Sequence, residues 1–295
     1  MKIVVFRVGG VLGAAWSVAG GIPYTLKRMG HEVFDINVND RFPHYDELIA
    51  FKPDLIIFSG LEWCYETVRS YYDTNLRDLA PMAALYHESL HRDDRDWDFE
   101  KFKDLANVHF FPAIQDAEKY NGEWLPFGVD VSIFYPRPVE KIYDVGFIGN
   151  LYDKRKDFWN QLTLHLPVKK IEAPFSYNDF ATTYNLADAY QRCKVFINLP
   201  SLSRLLVTKV TEVMACGVPL VTPIPEGGEA NMQSFFPGGQ LLYYHTALTG
   251  ASMAKYLLDH PEEAEAMSAS AVREIRDKHR LDQRLQDVID RMGFF

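Results

Sequence analysis

Short apolar runs, each four to seven residues long, alternate with stretches of helical spacing from the first residue of this chain onward. That alternation constrains the fold more than any other feature. A strand buried on both faces must be apolar throughout, and two parallel strands need a helix to carry the chain back to the starting edge. The pattern therefore predicts an α/β protein built on parallel sheets. Residues 2–8 (KIVVFRV), 31–38 (HEVFDINV), 54–59 (DLIIFS), 82–86 and 108–111 read as strands, with helices near 22–29, 44–51 and 63–72 between them. Residues 126–138 (PFGVDVSIFYPRP) interrupt the rhythm, because three prolines and a glycine do not fit inside one regular element. Strands then resume at 144–148, 168–172, 194–199 and 219–222, with helices through 158–164 and across 207–216, and a long helical region broken at Pro261 closes the chain. The expected organisation is one α/β domain over 1–130, a second over 131–280, and a final helix in 281–295 that packs back on the first.

A length of 295 residues agrees with two domains, at about 150 residues each. Apolar residues at 47% and charged residues at 24% exclude wholesale disorder. The formal charge of −9 weighs against a protein that grips nucleic acid or anionic lipid through a basic surface. Residues 1–135 carry 13 Lys/Arg against 21 Asp/Glu, and residues 136–295 carry 18 against 19, so the acidity sits in the first half. Cys64, Cys193 and Cys216 are too few and too scattered for a disulfide framework or a zinc cluster, and they suit reduced thiols in a cytoplasmic protein. The N-terminus has no apolar region of signal-peptide length. No stretch reaches the roughly 18 uninterrupted apolar residues of a membrane span, so no transmembrane anchor is expected.

Chemistry-bearing residues collect at the ends of the expected strands, where open parallel sheets bind ligands. In TKVTEVMACG (208–217), Val210, Val213 and Met214 form one packing stripe, Gly217 fits a left-handed helix end, and Pro219 follows where the helix stops. Thr208 and Lys209 stand at the helix start, with its free N–H groups and positive dipole, and Glu212 lies one turn further in. A helix start with a lysine suits a diphosphate, and a carboxylate one turn along can accept hydrogen bonds from ribose hydroxyls. Gly9, Gly10 and Gly13 follow the first strand, in a turn that lets backbone approach a phosphate or sugar. Their spacing is not the dinucleotide fingerprint, which counts against a dehydrogenase that would use Asp35 for its ribose. His87 and then Glu88, just after the fourth strand, are the candidate bases, with a surface-loop reading open for both. Glu62 and Trp63 occupy the equivalent end of the third strand, where the tryptophan reads as helix packing. The acidic and arginine-rich stretch 91–101 reads as a solvated segment, and Glu229 lies in a loop beyond the 219–222 strand.

Four strings resemble the GT-B glycosyltransferases of the group-1 type, including relatives similar to CgeB-like proteins. They are PFGVDVSIFYP (126–136), YDVGFIGNLYDKRKDFW (143–159), YQRCKVFINLP (190–200) and TKVTEVMACGVPLVT (208–222). The resemblance implies two Rossmann-like lobes with an interdomain cleft, a nucleotide-sugar donor held by the second lobe and an acceptor by the first. Glu212 would hold the donor ribose, and Thr208 and Lys209 would stand beside the diphosphate. The basic run Lys154, Arg155 and Lys156 matches a loop where related enzymes place cations on the diphosphate, with Arg155 and Lys156 preferred. Gly149 and Asn150 would let backbone approach the nucleotide, an ordinary strand-end turn being the alternative. The common pattern has a second glutamate eight positions before Glu212; here Arg204 stands there, as the CgeB-like relatives also lack that acid. The activity implied is sugar transfer from a nucleotide sugar to an acceptor hydroxyl on a glycan, lipid, small molecule or modified nucleic acid, with no metal and no cofactor beyond the donor. The alternative is a catalytically silent GT-B-like module that binds a sugar nucleotide or a protein.

Overall fold

The computed structural model describes residues 1–7, 21–38, 45–71, 75–90, 97–172, 181–201, 206–224 and 235–294. The chain divides into two compact units, Met1–Gly128 joined by Leu281–Phe295, and Val129–Arg280.

The first unit runs β1 (Lys2–Arg7), α1 (Gly21–Arg28), β2 (Glu32–Asn37), α2 (Tyr45–Phe51), β3 (Leu55–Ser59), α3 (Leu61–Tyr71), β4 (Met82–Leu85), β5 (Val108–Phe111), α4 (Ile114–Tyr120) and β6 (Glu123–Trp124). Its sheet has the order β2-β1-β3-β4-β5-β6, and every neighbouring pair is parallel. The second unit runs β7 (Tyr143–Ile148), α5 (Asp153–Thr163), β8 (Lys169–Ile171), α6 (Ala181–Gln191), β9 (Cys193–Ile197), α7 (Thr208–Ala215), β10 (Leu220–Pro223), β11 (Leu242–Tyr244), α8 (Ala247–Asp259) and α9 (Pro261–Lys278). Its sheet is also all parallel, in the order β11-β10-β9-β7-β8. The last helix, α10 (Leu281–Arg291), belongs to the first unit.

The side chains explain why the strands read as unbroken apolar runs. Along β1, Val4 and Phe6 join Ile56, Phe58, Met82 and Ala84 in one core layer. Ile3 and Val5 join Leu55, Ile57 and Ala83 in the layer on the other face. Leu281, Leu285, Val288 and Ile289 of α10 lie in that second layer with Ile22 and Leu26 of α1, a single helical stripe spaced four, three and one residues apart. With both faces covered, no alternation survives in the strand sequence. The β7 sheet repeats the scheme, with Phe196 and Met214 on one side and Phe147, Val195 and Ile197 on the other.

Sequence reading and structure part at short or weakly patterned elements. β6 has two residues and β11 three, too few for any period to register. The chain also holds α4 and α6, which the apolar pattern did not single out. α5 begins at Asp153 rather than near 158, so Lys154, Arg155 and Lys156 occupy its first turn instead of a loop. Lysine and arginine are good helix formers, but they carry no apolar signal until Phe158. At the end of α7 the Gly217 N–H donates to Met214 and the Val218 N–H to Val213, the paired bonds of a Schellman cap, with Gly217 at φ +68°.

The 126–138 interruption contains the crossing between units. Val129 donates its N–H to the His279 carbonyl at 2.9 Å and pairs with Arg280 in a parallel bridge, so the second unit starts and ends at neighbouring points. The three cysteines are free and buried. Among the described residues no helix is long and apolar enough to cross a membrane.

Tight packing at β7 yields a test. A Cβ at Gly146 would overlap Cys193 Sγ and approach Ile171 Cδ1 at 3.0 Å. Gly146→Ala is expected to lower the unfolding free energy by about 1–3 kcal/mol. Adding Cys193→Ala removes the obstructing sulfur, so urea denaturation should show the double variant more stable than the sum of the two single changes.

Candidate functional site

In each sheet the strand order reverses beside the first strand of the unit, between β1 and β3 and between β7 and β9. The loops leaving such neighbouring strands run in opposite directions, and the gap between them is where open parallel sheets hold ligands.

At the β7/β9 reversal the structure brings together Gly149, Arg155 and Lys209. Lys209, in the first turn of α7, donates its ammonium to the Ile148 carbonyl at the end of β7, at 2.5 Å. Arg155, buried at 8% exposure, donates Nη1 to the Asn150 carbonyl at 3.0 Å and Nε to the Pro200 carbonyl at 2.8 Å. It thereby ties the loop after β7 to the loop after β9. The guanidinium lies 4.4 Å from the Tyr152 ring centre and 5.7 Å from that of Phe147, and the Lys209 ammonium lies 5.0 Å from the same Phe147 ring. Gly149 sits between the two cations at φ +149°, and a Cβ there would lie 3.1 Å from Lys209 Nζ and 3.3 Å from Arg155 Nη1. Among the described residues neither cation makes an ion pair with a carboxylate. Burial, with Arg155 close by, pulls the Lys209 ammonium down to about 7 against an opposing pull from Glu212. Burial also lowers the Arg155 guanidinium.

Glu212 follows Lys209 by three residues and is 3% exposed. Its Oε2 accepts the Tyr190 hydroxyl at 2.8 Å, and burial followed by that carboxylate holds the Tyr190 phenol well above its ordinary range. Val207 caps α7 without a side-chain hydrogen bond, so Thr208 opens a helix whose N-terminal donors no capping side chain takes. The combined positive potential suits a diphosphate, with a fixed carboxylate one turn away. Lys154 and Lys156 are exposed, so of the three neighbouring basic residues it is Arg155 that turns inward.

In the first unit His87 lies just past β4 and is partly buried. Its Nε2 is 3.1 Å from Ser59 Oγ, and its backbone N–H donates to Glu62 Oε1 at 2.8 Å. Burial lowers the imidazole to about 4, which leaves it neutral at pH 7. Glu62, 6% exposed, is pushed up to about 8 by burial, with Glu88 adding to the shift. Leu90 donates its N–H to Asp116 Oδ2 at 2.8 Å, so carboxyl groups from α3 and α4 hold both ends of the segment after β4. Asp35 is bound by Arg7 through Nε at 2.7 Å and Nη2 at 3.0 Å, a bidentate pair that occupies the acid a dehydrogenase would need for ribose. Trp63 packs edge-on against Trp97 at 5.1 Å, in line with its reading as a packing residue. Gly9, Gly10, Gly13, Arg204, Glu229 and residues 91–96 lie outside the described residues.

The sequence did not signal the side chains that hold these residues in place. Phe147 reads as an ordinary strand residue, and Tyr190 lies 22 positions from Glu212. Neither has a local signal. Among the described residues no group of three or more His, Cys, Asp or Glu is placed to share a metal ion.

Residues 137–290, just over half of the chain, match a family described as glycosyl transferase-like. No curated protein is significantly similar in sequence. Among solved structures the chain is similar to sucrose-phosphate synthase from Thermosynechococcus elongatus, with a TM-score of 0.66 and 13% identity over 98% of each chain. It is similar to Anabaena HepE in complex with UDP-glucose, at 0.66 and 12% over 100% of each. An alpha-glucosyltransferase in complex with UDP and a 13-mer DNA containing a central A:G mismatch gives 0.71 and 12% over 99% of each. At such identities the likeness speaks for the fold alone, two parallel α/β sheets with flanking helices, as in GT-B glycosyltransferases. The family match and the shared architecture together identify the chain as a member of the glycosyl transferase-like family with the GT-B fold.

Proposed function

We propose that the chain transfers a sugar from a nucleoside-diphosphate sugar, bound by the second unit, to an acceptor hydroxyl bound by the first. The observation that carries this reading is the convergence of Arg155 and Lys209 on Gly149, held by carbonyl oxygens and, among the described residues, in ion pair with no carboxylate. Two cations brought this close at a partly buried site repel each other, and a bound dianion removes that cost. The diphosphate would lie against Arg155, Lys209 and the N–H groups at Thr208, with Gly149 and Asn150 lining its approach. Glu212, fixed by Tyr190, would accept the ribose hydroxyls. Lys156 would contribute only to the surrounding field.

Transfer breaks the bond from the anomeric carbon to the diphosphate oxygen and forms one to the acceptor oxygen, whose proton must leave. The cations stabilise the departing diphosphate. His87 is the proposed partner of the reacting hydroxyl and Glu88 the second candidate. A neutral imidazole near 4 accepts a hydrogen bond well but is a weak base. That favours an orienting role for His87, with the proton passing to the departing diphosphate. The excess of acid in residues 1–135 disfavours a polyanionic acceptor and supports a glycan, lipid-linked or small-molecule hydroxyl. Arg204 stands where the common pattern has a second glutamate, so the standard donor-sugar contacts do not carry over, while the proposed nucleotide contacts do not use that position.

A panel of UDP-, GDP-, ADP- and TDP-sugars, followed by thermal shift and by release of nucleoside diphosphate, tests the reading. One nucleotide sugar should both stabilise the protein and be turned over; binding without turnover of any donor would make the chain a binding module. Arg155→Ala and Lys209→Ala should each weaken that nucleotide about tenfold or more. Glu212→Ala should weaken the nucleotide but not pyrophosphate, and equal weakening of both would remove Glu212 from the ribose.

Proton linkage gives a second test. A bound diphosphate raises the Lys209 ammonium from about 7, so above pH 7 binding should take up a proton and affinity should fall as pH rises. Calorimetry at pH 8 in buffers of different ionisation enthalpy should report the uptake, and Lys209→Met should abolish it.

A further inference from the structure

Ser59, Gly60 and Glu62 form a compact device around His87 that the proposed reaction does not yet use. Ser59 ends β3 and is fully buried. Gly60 turns the chain at φ +78° and donates its N–H to the Leu85 carbonyl at 2.7 Å, locking the turn to β4. Glu62, in the first turn of α3, accepts the His87 N–H, and Ser59 Oγ meets His87 Nε2. One backbone, one carboxyl and one hydroxyl contact thus fix the histidine's main chain and ring together.

We propose that Ser59 and Glu62 are positioning residues that hold His87 so that Nδ1, the ring nitrogen beside Gly60, is the one offered to the substrate. This rests on the reading that His87 meets the reacting hydroxyl. Ser59 engages Nε2 and so removes it from use. A Cβ on Gly60 would stand 3.2 Å from Nδ1, so glycine keeps that side of the ring clear as well as permitting the turn. Neither Ser59 nor Glu62 reaches a ligand itself. Ser59 is 0% exposed, and Glu62 Oε2 is a buried atom with no hydrogen-bond partner. They act through the histidine.

The buried Oε2 also bears on the form of Glu62. An ionised carboxylate with one oxygen unpartnered in the interior is far more costly than the neutral acid. Among the described residues, the titratable groups around it are Cys64 on α3, Tyr86 after β4, and His87 and Glu88 in the following segment. None supplies a positive charge at neutral pH. Burial holds Glu62 toward its neutral form, while the backbone N–H groups of His87, Glu62 and Glu88 pull the other way, so the His87 N–H stays anchored on the carboxyl group in either form.

The primary test is the ¹⁵N spectrum of histidine-labelled protein, with His87 assigned from His87→Gln. Wild type should show a single fixed tautomer titrating well below pH 6, whereas Ser59→Ala should show tautomer exchange and a raised titration midpoint. Turnover of the donor found by the panel gives the second readout, at saturating donor. Ser59→Ala should lower kcat roughly ten- to hundredfold with the donor KM unchanged. Glu62→Gln, which keeps an acceptor oxygen for the His87 N–H, should retain most of kcat. Glu62→Ala should lose kcat at every pH, and circular dichroism of each variant verifies the fold. A wild-type His87 spectrum in Ser59→Ala, or full kcat in a folded Glu62→Ala, overturns the inference. Full kcat in His87→Gln would instead overturn the role of His87 itself, so the two failures are distinguishable.

Discussion

Arg155 is the contact on which the second unit's candidate site depends. A parallel sheet leaves the loops after β7 and β9 diverging, and nothing in the sheet's own hydrogen bonding holds them at a fixed spacing. The guanidinium supplies the link by donating to Asn150 on one side and Pro200 on the other. Its planar fork allows two directed bonds from one buried group, which a lysine ammonium would not reproduce. The aromatic faces of Tyr152 and Phe147 offset part of the cost of burying it. With Arg155 fixed, Gly149 and Lys209 have defined neighbours, and the electrostatic character of the site follows.

The two units apply one architecture to different electrostatic ends. At the β7/β9 reversal, cations are gathered with no carboxylate in ion pair with them among the described residues. After β3 and β4, burial drives both titratable groups toward neutrality, the imidazole by losing its proton and the Glu62 carboxyl by keeping it. Under the proposed function the first place receives negative charge, and at the second His87 directs a hydrogen bond from a neutral ring. The proposed transfer would use both, since the leaving group gathers charge while the attacking hydroxyl needs orientation.

Much of this was legible in the sequence, for identifiable reasons. Buried parallel strands announce themselves as unbroken apolar runs, so β1, β3 and β9 are visible in KIVVFR, LIIFS and CKVFI. Lys209 and Glu212 follow from their places on a helix whose end is marked by Gly217 and Pro219. Which of Lys154, Arg155 and Lys156 turns inward was not legible, because it depends on the phase of α5, and the apolar residues that set that phase begin only at Phe158. The pairs Tyr190 with Glu212 and Ser59 with His87 span 22 and 28 positions and exist only after the strands are assembled. Glu62 stood in view at a strand end, but its neutrality comes from burial, which no local string encodes.

The position of α10 bears on how the chain acquires its structure during synthesis. Val129 and Arg280 lie side by side, so the second unit is one uninterrupted segment that can close its core as soon as it leaves the ribosome. The first unit is synthesised earlier, but Leu281, Leu285, Val288 and Ile289 complete the layer over Ile3, Val5 and Ile22. The part of the protein made first is therefore the part finished last, and its apolar face must wait through 152 intervening residues for its cover.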